Sequence, residues 1–560
     1  MNRKLTQFFF IISIITGSYN VYSQSNKSYL ISDNQQDFIN DLIQPKKRKY
    51  SAKKIANDQS FSFKLNVQNQ NEKNLTLIGT VNGHQLSSFS FVKTNNSLKG
   101  NIILHDIKKA YTLYSESNGQ VFVQETDINK ILCVDFKKAN IKDAADTGIT
   151  FSKAAPQLES LPGAPGIIYL DFDGELVSGT NWLGGATINA QSPNFSNEKI
   201  IKVWKIMAED FRPFNLNVTT KRDIFDATPK HRRMMCIFTT TRDAEPDSGG
   251  VAFLNSFASI DSDDPCWVYN VEDTRAAGET GSHEVGHTLG LSHDGRPGEE
   301  YYSGHREWSS IMGWSANNPI GHWSSGEYPN ATNTEDDIAI ISDNINGFGF
   351  RKDDHGNTFD KATAIKVTVS GEVNANENFG LISTRNDKDV FSFVVETGNV
   401  SLSFNPDPDY PNLNIQARIL NKSGEEITLS NPNGLSASIN QNLTEGIYYI
   451  EIDGVGEGTL TTGYSDYSSL GNYSISGNYI PRLDNKQHLI TYYPNPATAT
   501  DKILHIDGIT TNDYSVKIVN LQGQVLIDAI PTPEMDVSKL SQGLYIILIN
   551  NKPLGKLVKG

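Results

Sequence analysis

His283 and His287 stand four residues apart in the segment GSHEVGHTLGLSHDG (281–295), with Glu284 beside the first and His293 six residues beyond the second. On a helix that spacing puts both imidazoles on one face, one turn apart, close enough to share a metal ion. Gly290 can adopt a backbone conformation closed to other residues, ending the helix and returning His293 as a third ligand. Three neutral imidazoles are the ligand set of a catalytic zinc site, which keeps a fourth position open for water. Glu284, adjacent to a ligand but pointing differently, is placed as general base for that water. The combination arises by chance in a chain of this length with a probability on the order of 10⁻⁵, so the motif is specific.

These groups need elements to hold them. VEDTRAAGETGSHEVGHTLGLS (271–292) reads as one continuous helix with the ligands near its C-terminal end. GIIYLDF (166–172), NLNVTT (215–220) and MMCIFTT (234–240) read as strands, and NEKIIKVWKIMAEDF (197–211) repeats apolar residues at helical spacing. Strands alternating with helices predict an α/β layer over 161–352. Before it, residues 24–160 hold alternating stretches such as FSFKLNV (61–67) and LTLIGTV (75–81), a β-rich domain. That domain ends in AAPQLESLPGAPG (154–166), which reads as an exposed linker open to cleavage. After 352 short strands separated by Gly, Asn, Asp and Pro predict two all-β sandwich domains, 353–481 and 488–560.

The chain of 560 residues is therefore multidomain. Arg3 and Lys4, an apolar run from Phe8 to Ile15 and the small-residue pattern ending at Ser23 have the layout of a signal peptide, 1–23. No apolar stretch reaches the roughly 20 residues that span a bilayer, so no transmembrane segment is expected. Forty-nine Lys and Arg against 64 Asp and Glu give a net charge of −15, which argues against nucleic acid and anionic membranes as partners. Three cysteines are too few for a disulfide framework. In an oxidising compartment Cys236 and Cys266, both within 161–352, are expected to pair, leaving Cys133 as the odd thiol.

A second carboxylate motif competes for chemistry. Asp171-Phe172-Asp173-Gly174-Glu175 follows an apolar strand, like the nucleophile loop of haloacid-dehalogenase-type phosphatases. Only four residues match, Glu175 replaces the usual Thr, and no later Lys and acidic pair stands out. A carboxylate-rich strand end or a Ca2+ site is the stronger reading.

HEVGHTLGLSHD (283–294) resembles the extended zinc motif of the metzincin metallopeptidases, and Asp294 after the third His is the variant of the adamalysin/reprolysin-like branch. Met312 in SSIMGW (309–314) takes the place of the family's Met-turn, and GGVAFLNSF (249–257) resembles its substrate edge strand. The resemblance covers 161–352 and is clearest from 249 to 314. It implies an α/β (α+β) catalytic domain with a mixed five-stranded sheet and active-site helix. Zn2+ would be held by His283, His287 and His293, with Glu284 as catalytic base. Gly250, Val251, Ala252 and Phe253 would receive extended protein or peptide substrates by strand addition. The activity implied is that of a secreted endopeptidase. In several metzincin branches a propeptide cysteine blocks the fourth zinc position, which would make 24–160 a propeptide and Cys133 its switch. The residues around Cys133 fit a small apolar core position equally well.

GNTFDKATAI (356–365), NDKDVFSFVV (386–395) and the segment 446–477 resemble the bacterial prepeptidase C-terminal domain, in which Asp387 and Asp389 would bind Ca2+ or form a solvated turn. YPNPATATDKILHI (493–506), VKIVNLQGQVLI (516–527) and MDVSKLSQGLYIILINN (535–551) resemble the C-terminal sorting domain of type IX secretion in Bacteroidetes. That implies export through the periplasm and outer membrane by dedicated secretion machinery, then release or attachment to the cell surface. The rival reading is a surface adhesion or matrix-binding protein with an inactive protease-like domain. The intact set His283, Glu284, His287 and His293 disfavours it, because a binding scaffold needs no complete metal site with its base.

Overall fold

The computed structural model describes residues 28–43, 54–55, 59–70, 73–84, 87–95, 97–133, 155–260, 262–343, 346–482, 491–507, 515–529, 534–549 and 552–560. The expected signal peptide 1–23 lies outside the described residues. The chain is multidomain and mostly β, and divides into two compact units, 1–128 and 129–560.

In the first unit β1 (Ser28–Ser32), β2 (Phe63–Gln70), β3 (Asn74–Val81), β4 (Ser87–Thr94), β5 (Ser97–Leu104), β6 (Lys109–Ser115) and β7 (Val121–Thr126) form an antiparallel sheet. Its order is β1-β7-β6-β5-β4-β3-β2. Helix α1 (Gln35–Ile43) buries Ile39 and Leu42 in a core shared with Phe89, Phe91 and Tyr111 of the sheet. Alternation along the strands puts one apolar face inward, as period-two patterning requires.

The second unit is built around β8 (Gly166–Asp171), α2 (Asn197–Asp210), β9 (Leu216–Thr219), β10 (Arg233–Phe238), β11 (Gly250–Val251), β12 (Cys266–Val268) and α3 (Thr274–Leu289). The five strands form a mixed sheet of order β9-β8-β10-β12-β11, parallel except for β11, which pairs antiparallel with β12 at the edge. Every residue of β8 is buried, as expected of a parallel strand covered on both faces. Ser196 caps α2 by accepting from the Lys199 amide, and Ile200, Val203, Ile206 and Met207 bury one stripe of that helix.

Helix α3 is shorter than the 271–292 expected. Asp273 stops it at one end by accepting from the Ala276 amide at 2.8 Å, and Gly290, at φ 112°, turns it off at the other. The exposed linker expected over 154–166 is corrected as well: residues 156–160 are tied to the sheet. Leu158 and Ser160 exchange hydrogen bonds with Thr220 and Val218, which covers the otherwise open edge of β9. Any cleavage in that linker must therefore fall before Pro156 to spare the sheet.

After α3, β13 (Trp308–Ser310) and β14 (Ile320–His322) form a parallel ribbon, and α4 (Asp337–Ser342) follows. Residues 353–481 form two facing sheets. One contains Lys388–Val395, Gly446–Gly454 and Ile415–Asn421; the other contains Gly398–Pro406, Gly471–Asn478 and Ala437–Leu443. This sandwich is not a tethered appendage. One continuous core runs from Met207, Phe211 and Trp323 into Leu413, Ile415 and Leu470. Polar ties follow the same seam: Asn412 donates to Asp210 at 2.9 Å, and His322 donates to the Asn412 carbonyl at 2.8 Å. The last segment forms a three-stranded and a four-stranded sheet around their own core, including Leu504, Ile518 and Ile547.

Candidate metal centre

His283 and His287 project from one face of α3, and the turn at Gly290 brings His293 back to them. Their ring centroids lie 4.6 Å apart, and His293 lies 4.7 Å from His287 and 5.6 Å from His283. Each ring is oriented from behind. The Nδ1 of His283 donates to the Ile311 carbonyl at 2.8 Å, and that of His287 to the Leu291 carbonyl at 2.8 Å. The Nδ1 of His293 lies 3.1 Å from the Glu300 carboxylate.

A carbonyl oxygen can only accept, so Nδ1 carries the proton in His283 and His287, and both Nε2 atoms are bare. Those two lone pairs face each other at 3.0 Å in a fully buried site. A cation between the rings would engage both lone pairs at once. Protonation is not the remedy, because burial, with the neighbouring imidazoles next, pushes both rings well below the ordinary histidine range. The fourth donor is the Cys133 sulfur, 3.1 Å from His293 Nε2, and the four donor atoms lie within 4.8 Å of one another. The three imidazoles and the thiol suit zinc in chemistry and number.

Glu284 is fully buried, and neither carboxylate oxygen has a hydrogen-bond partner among the described residues. Burial, and then Cys266, push it well above the usual carboxylate range. Strand β11 comes so close that a Cβ on Gly250 would lie 2.5 Å from Glu284 Oε1, so only glycine fits there. Met312 is fully buried, its sulfur packed against Gly286 of α3 and its carbonyl accepting from the Asp294 amide at 2.9 Å. Asp294 is buried behind His293, pushed up to about 7 chiefly by burial, and accepts from Tyr328.

The edge expected to receive substrate holds a segment of this chain. Leu132 pairs antiparallel with Phe253, Cys133 N–H donates to the Ala252 carbonyl at 3.1 Å, and Leu254 N–H donates to the Ile131 carbonyl at 3.1 Å. Gly250 and Val251 lie in β11 itself; Ala252 and Phe253 extend it to meet the segment. Of the two readings of Cys133, the structure shows a fully buried thiol that is also the fourth donor at the imidazoles. Tyr301 and Glu300, which the spacing argument did not single out, flank His293; the acidic and aromatic run Glu299-Glu300-Tyr301-Tyr302 was the available signal.

The expected Cys236–Cys266 disulfide is corrected: both are free, buried thiols. They are paired directly across β10 and β12, close enough to hydrogen-bond. Burial pushes the Cys266 thiol well up, disfavouring the thiolate through which a disulfide forms. Asp171 accepts from the Gly174 amide at 3.0 Å and closes a turn, while Glu175 pairs with Arg222.

A second acidic cluster lies in the sandwich, where Asp353, Asp354 and Asp389 bring carboxylate oxygens within 4.8 Å of one another. Asp389 is fully buried; one oxygen accepts from Tyr473 at 2.6 Å and the other has no partner among the described residues. Burial, with Asp387 and Asp354 adding, pushes it up to about 9. Asp387, which the sequence paired with Asp389, instead accepts from the Ser383 amide and hydroxyl.

Among solved structures, the pre-peptidase C-terminal domain of collagenase from Bacillus anthracis is similar at 18% identity, covering 20% of this chain and 94% of its own, with a TM-score of 0.15 that is too low to bear on the fold. No curated protein matches the chain. Among the described residues no helix is long and apolar enough to cross a membrane. Residues 491–559 match the secretion system C-terminal sorting domain family, the domain read by type IX secretion machinery, and the protein is accordingly exported, to the cell surface or beyond it.

Proposed function

We propose that the chain is a secreted zinc-dependent endopeptidase made as a zymogen. One observation carries the reading: three imidazoles and a thiol with their donor atoms within 4.8 Å of one another, next to a buried Glu284 carboxylate that has no hydrogen-bond partner among the described residues. His283, His287 and His293 would hold the ion. Bound there, zinc would polarise the scissile carbonyl and lower the pKa of water towards about 7. Glu284 takes the proton of the attacking water and delivers it to the leaving amine. The 250–254 edge aligns an extended peptide through its backbone, giving affinity with little demand on side chains. Cys133 and the paired Ile131–Leu132 keep both places filled in the precursor. Ca2+ is proposed for Asp353, Asp354 and Asp389, on the strength of the buried, unpartnered Asp389 oxygen.

The test is hydrolysis of fluorogenic casein by the full chain carrying Cys133→Ser, beside the same chain with Glu284→Ala, with bound zinc measured in both. Stoichiometric zinc in both, and a rate about 10²–10⁴-fold lower without Glu284, is the expected result. A chain that binds no zinc sinks the proposal. Zinc loading without cleavage, in the Cys133→Ser chain and again after the chain is cut before Pro156, would favour the inactive binding scaffold instead.

A further inference from the structure

We propose that Tyr301 is a catalytic residue, whose phenol donates a hydrogen bond to the scissile carbonyl oxygen as that oxygen gains negative charge. This rests on the peptidase reading above.

The argument starts from what Cys133 marks. Its sulfur sits 3.1 Å from His293 Nε2, among the three imidazoles, where a reacting group of the substrate must come once the cysteine leaves. The Tyr301 hydroxyl lies 3.9 Å from that sulfur. A hydroxyl that can donate and already lies within reach of the group at this position reaches whatever replaces it, and such contacts commonly shorten in the reacting complex.

The ring is held there firmly. Tyr301 is 9% exposed and packs with Cys133 and Trp314. Its centroid is 4.4 Å from that of His293. The neighbours on either side are fixed too: the Glu300 carboxylate lies 3.1 Å from His293 Nδ1, and the Tyr302 amide donates to the Asp294 carbonyl at 2.7 Å. The segment 300–302 is therefore bound to the same loop that carries the third imidazole. A phenol placed this way is preorganised, so it costs no reorganisation when charge develops.

Division of labour supports the assignment. Glu284 handles protons on the attacking and leaving groups, and a carboxylate is no donor while ionised. Tyr301 supplies a neutral O–H facing the same position. A phenylalanine would keep the packing on His293 and remove only the donor.

The test uses the full chain carrying Cys133→Ser, with and without Tyr301→Phe. Three quantities are read: zinc affinity, kcat and KM on a casein-derived peptide, and binding of a phosphinic peptide that mimics the tetrahedral anion. The expected outcome is unchanged zinc affinity, a kcat lower by on the order of 10²–10³-fold with KM little altered, and a matching loss of phosphinic-peptide affinity. Tyr301→His, which retains a ring donor, should recover part of the loss. Phosphinic-peptide affinity unchanged by Tyr301→Phe overturns the proposal, as does an unchanged kcat. A Tyr301→Phe chain that loses zinc overturns it in favour of a packing role. If the parent itself, before and after being cut ahead of Pro156, loads zinc and cleaves nothing, the peptidase reading falls and this one falls with it.

Discussion

Bare lone pairs, unpartnered carboxylates and buried phenols are costly, and the second unit places several of each together. His283, His287 and Glu284 lie within one turn of α3: the two imidazoles face each other through Nε2 at 3.0 Å, and neither Glu284 oxygen has a partner among the described residues. The same logic applies at Asp389. Its carboxylate, with one oxygen unpartnered among the described residues, lies in one cluster with those of Asp353 and Asp354, so a divalent ion would relieve both desolvation and like-charge repulsion. Millimolar Ca2+ is expected to raise the melting temperature of the chain, and Asp354→Asn should shrink that increment. Equal increments in parent and variant would remove Ca2+ from this cluster.

At the scale of elements, the decisive pairing is Ile131–Cys133 on the extension of β11. Backbone hydrogen bonds on either side of Leu132 give the segment the register of an added strand, and Leu132 itself is fully buried. Occupying the edge and the fourth donor position together is a stronger block than either alone. Cys133→Ser removes the sulfur while sparing the backbone pairing, so the precursor should show premature activity, measurable as casein hydrolysis without prior processing. A Cys133→Ser precursor as latent as its parent, which cleaves casein once cut before Pro156, would assign latency to strand pairing and not to the thiol.

For the whole molecule, the shared core makes the sandwich part of the framework of the candidate metal centre. Asp210 is the junction: it accepts from Asn412 of the sandwich at 2.9 Å and from Ser282, the neighbour of His283, at 2.6 Å. His322 spans the same seam, buried against Tyr464 and pushed down to about 4 by desolvation. An unfolded histidine takes up its proton near 6.5, so between pH 6.5 and 4 the unfolded chain binds more protons than the folded one. Stability from this group is thus fully present above 6.5 and is lost as pH falls towards 4, by roughly 3 kcal/mol. The buried carboxylates, raised in pKa, slope the opposite way, so the informative quantity is a difference. His322→Gln keeps a donor for the Asn412 carbonyl and removes the titration; its apparent melting temperature should fall less steeply over this range. Parallel curves for the two chains would contradict the assignment.

Much of the centre was legible because its geometry is local. Helix pitch alone sets His283 against His287, and only glycine readily takes the φ of 112° that turns the chain at 290 towards His293. The helix ends were misjudged by a few residues, since capping by Asp273 depends on a single side-chain bond. The sorting domain was readable for a different reason: its motifs are contiguous. What sequence by itself determined, then, is the grouping of His283, Glu284, His287 and His293 and the exported destination. Tertiary structure decided what surrounds them. It brought Cys133 to an imidazole 160 residues away, set Tyr301 over the same position, joined Asp353 and Asp354 to Asp389, left Cys236 and Cys266 as thiols, and merged two expected domains into one core. Those outcomes depend on burial and on contacts between distant segments, whose free energy is shared over the whole core and leaves no periodic mark on any single stretch of chain.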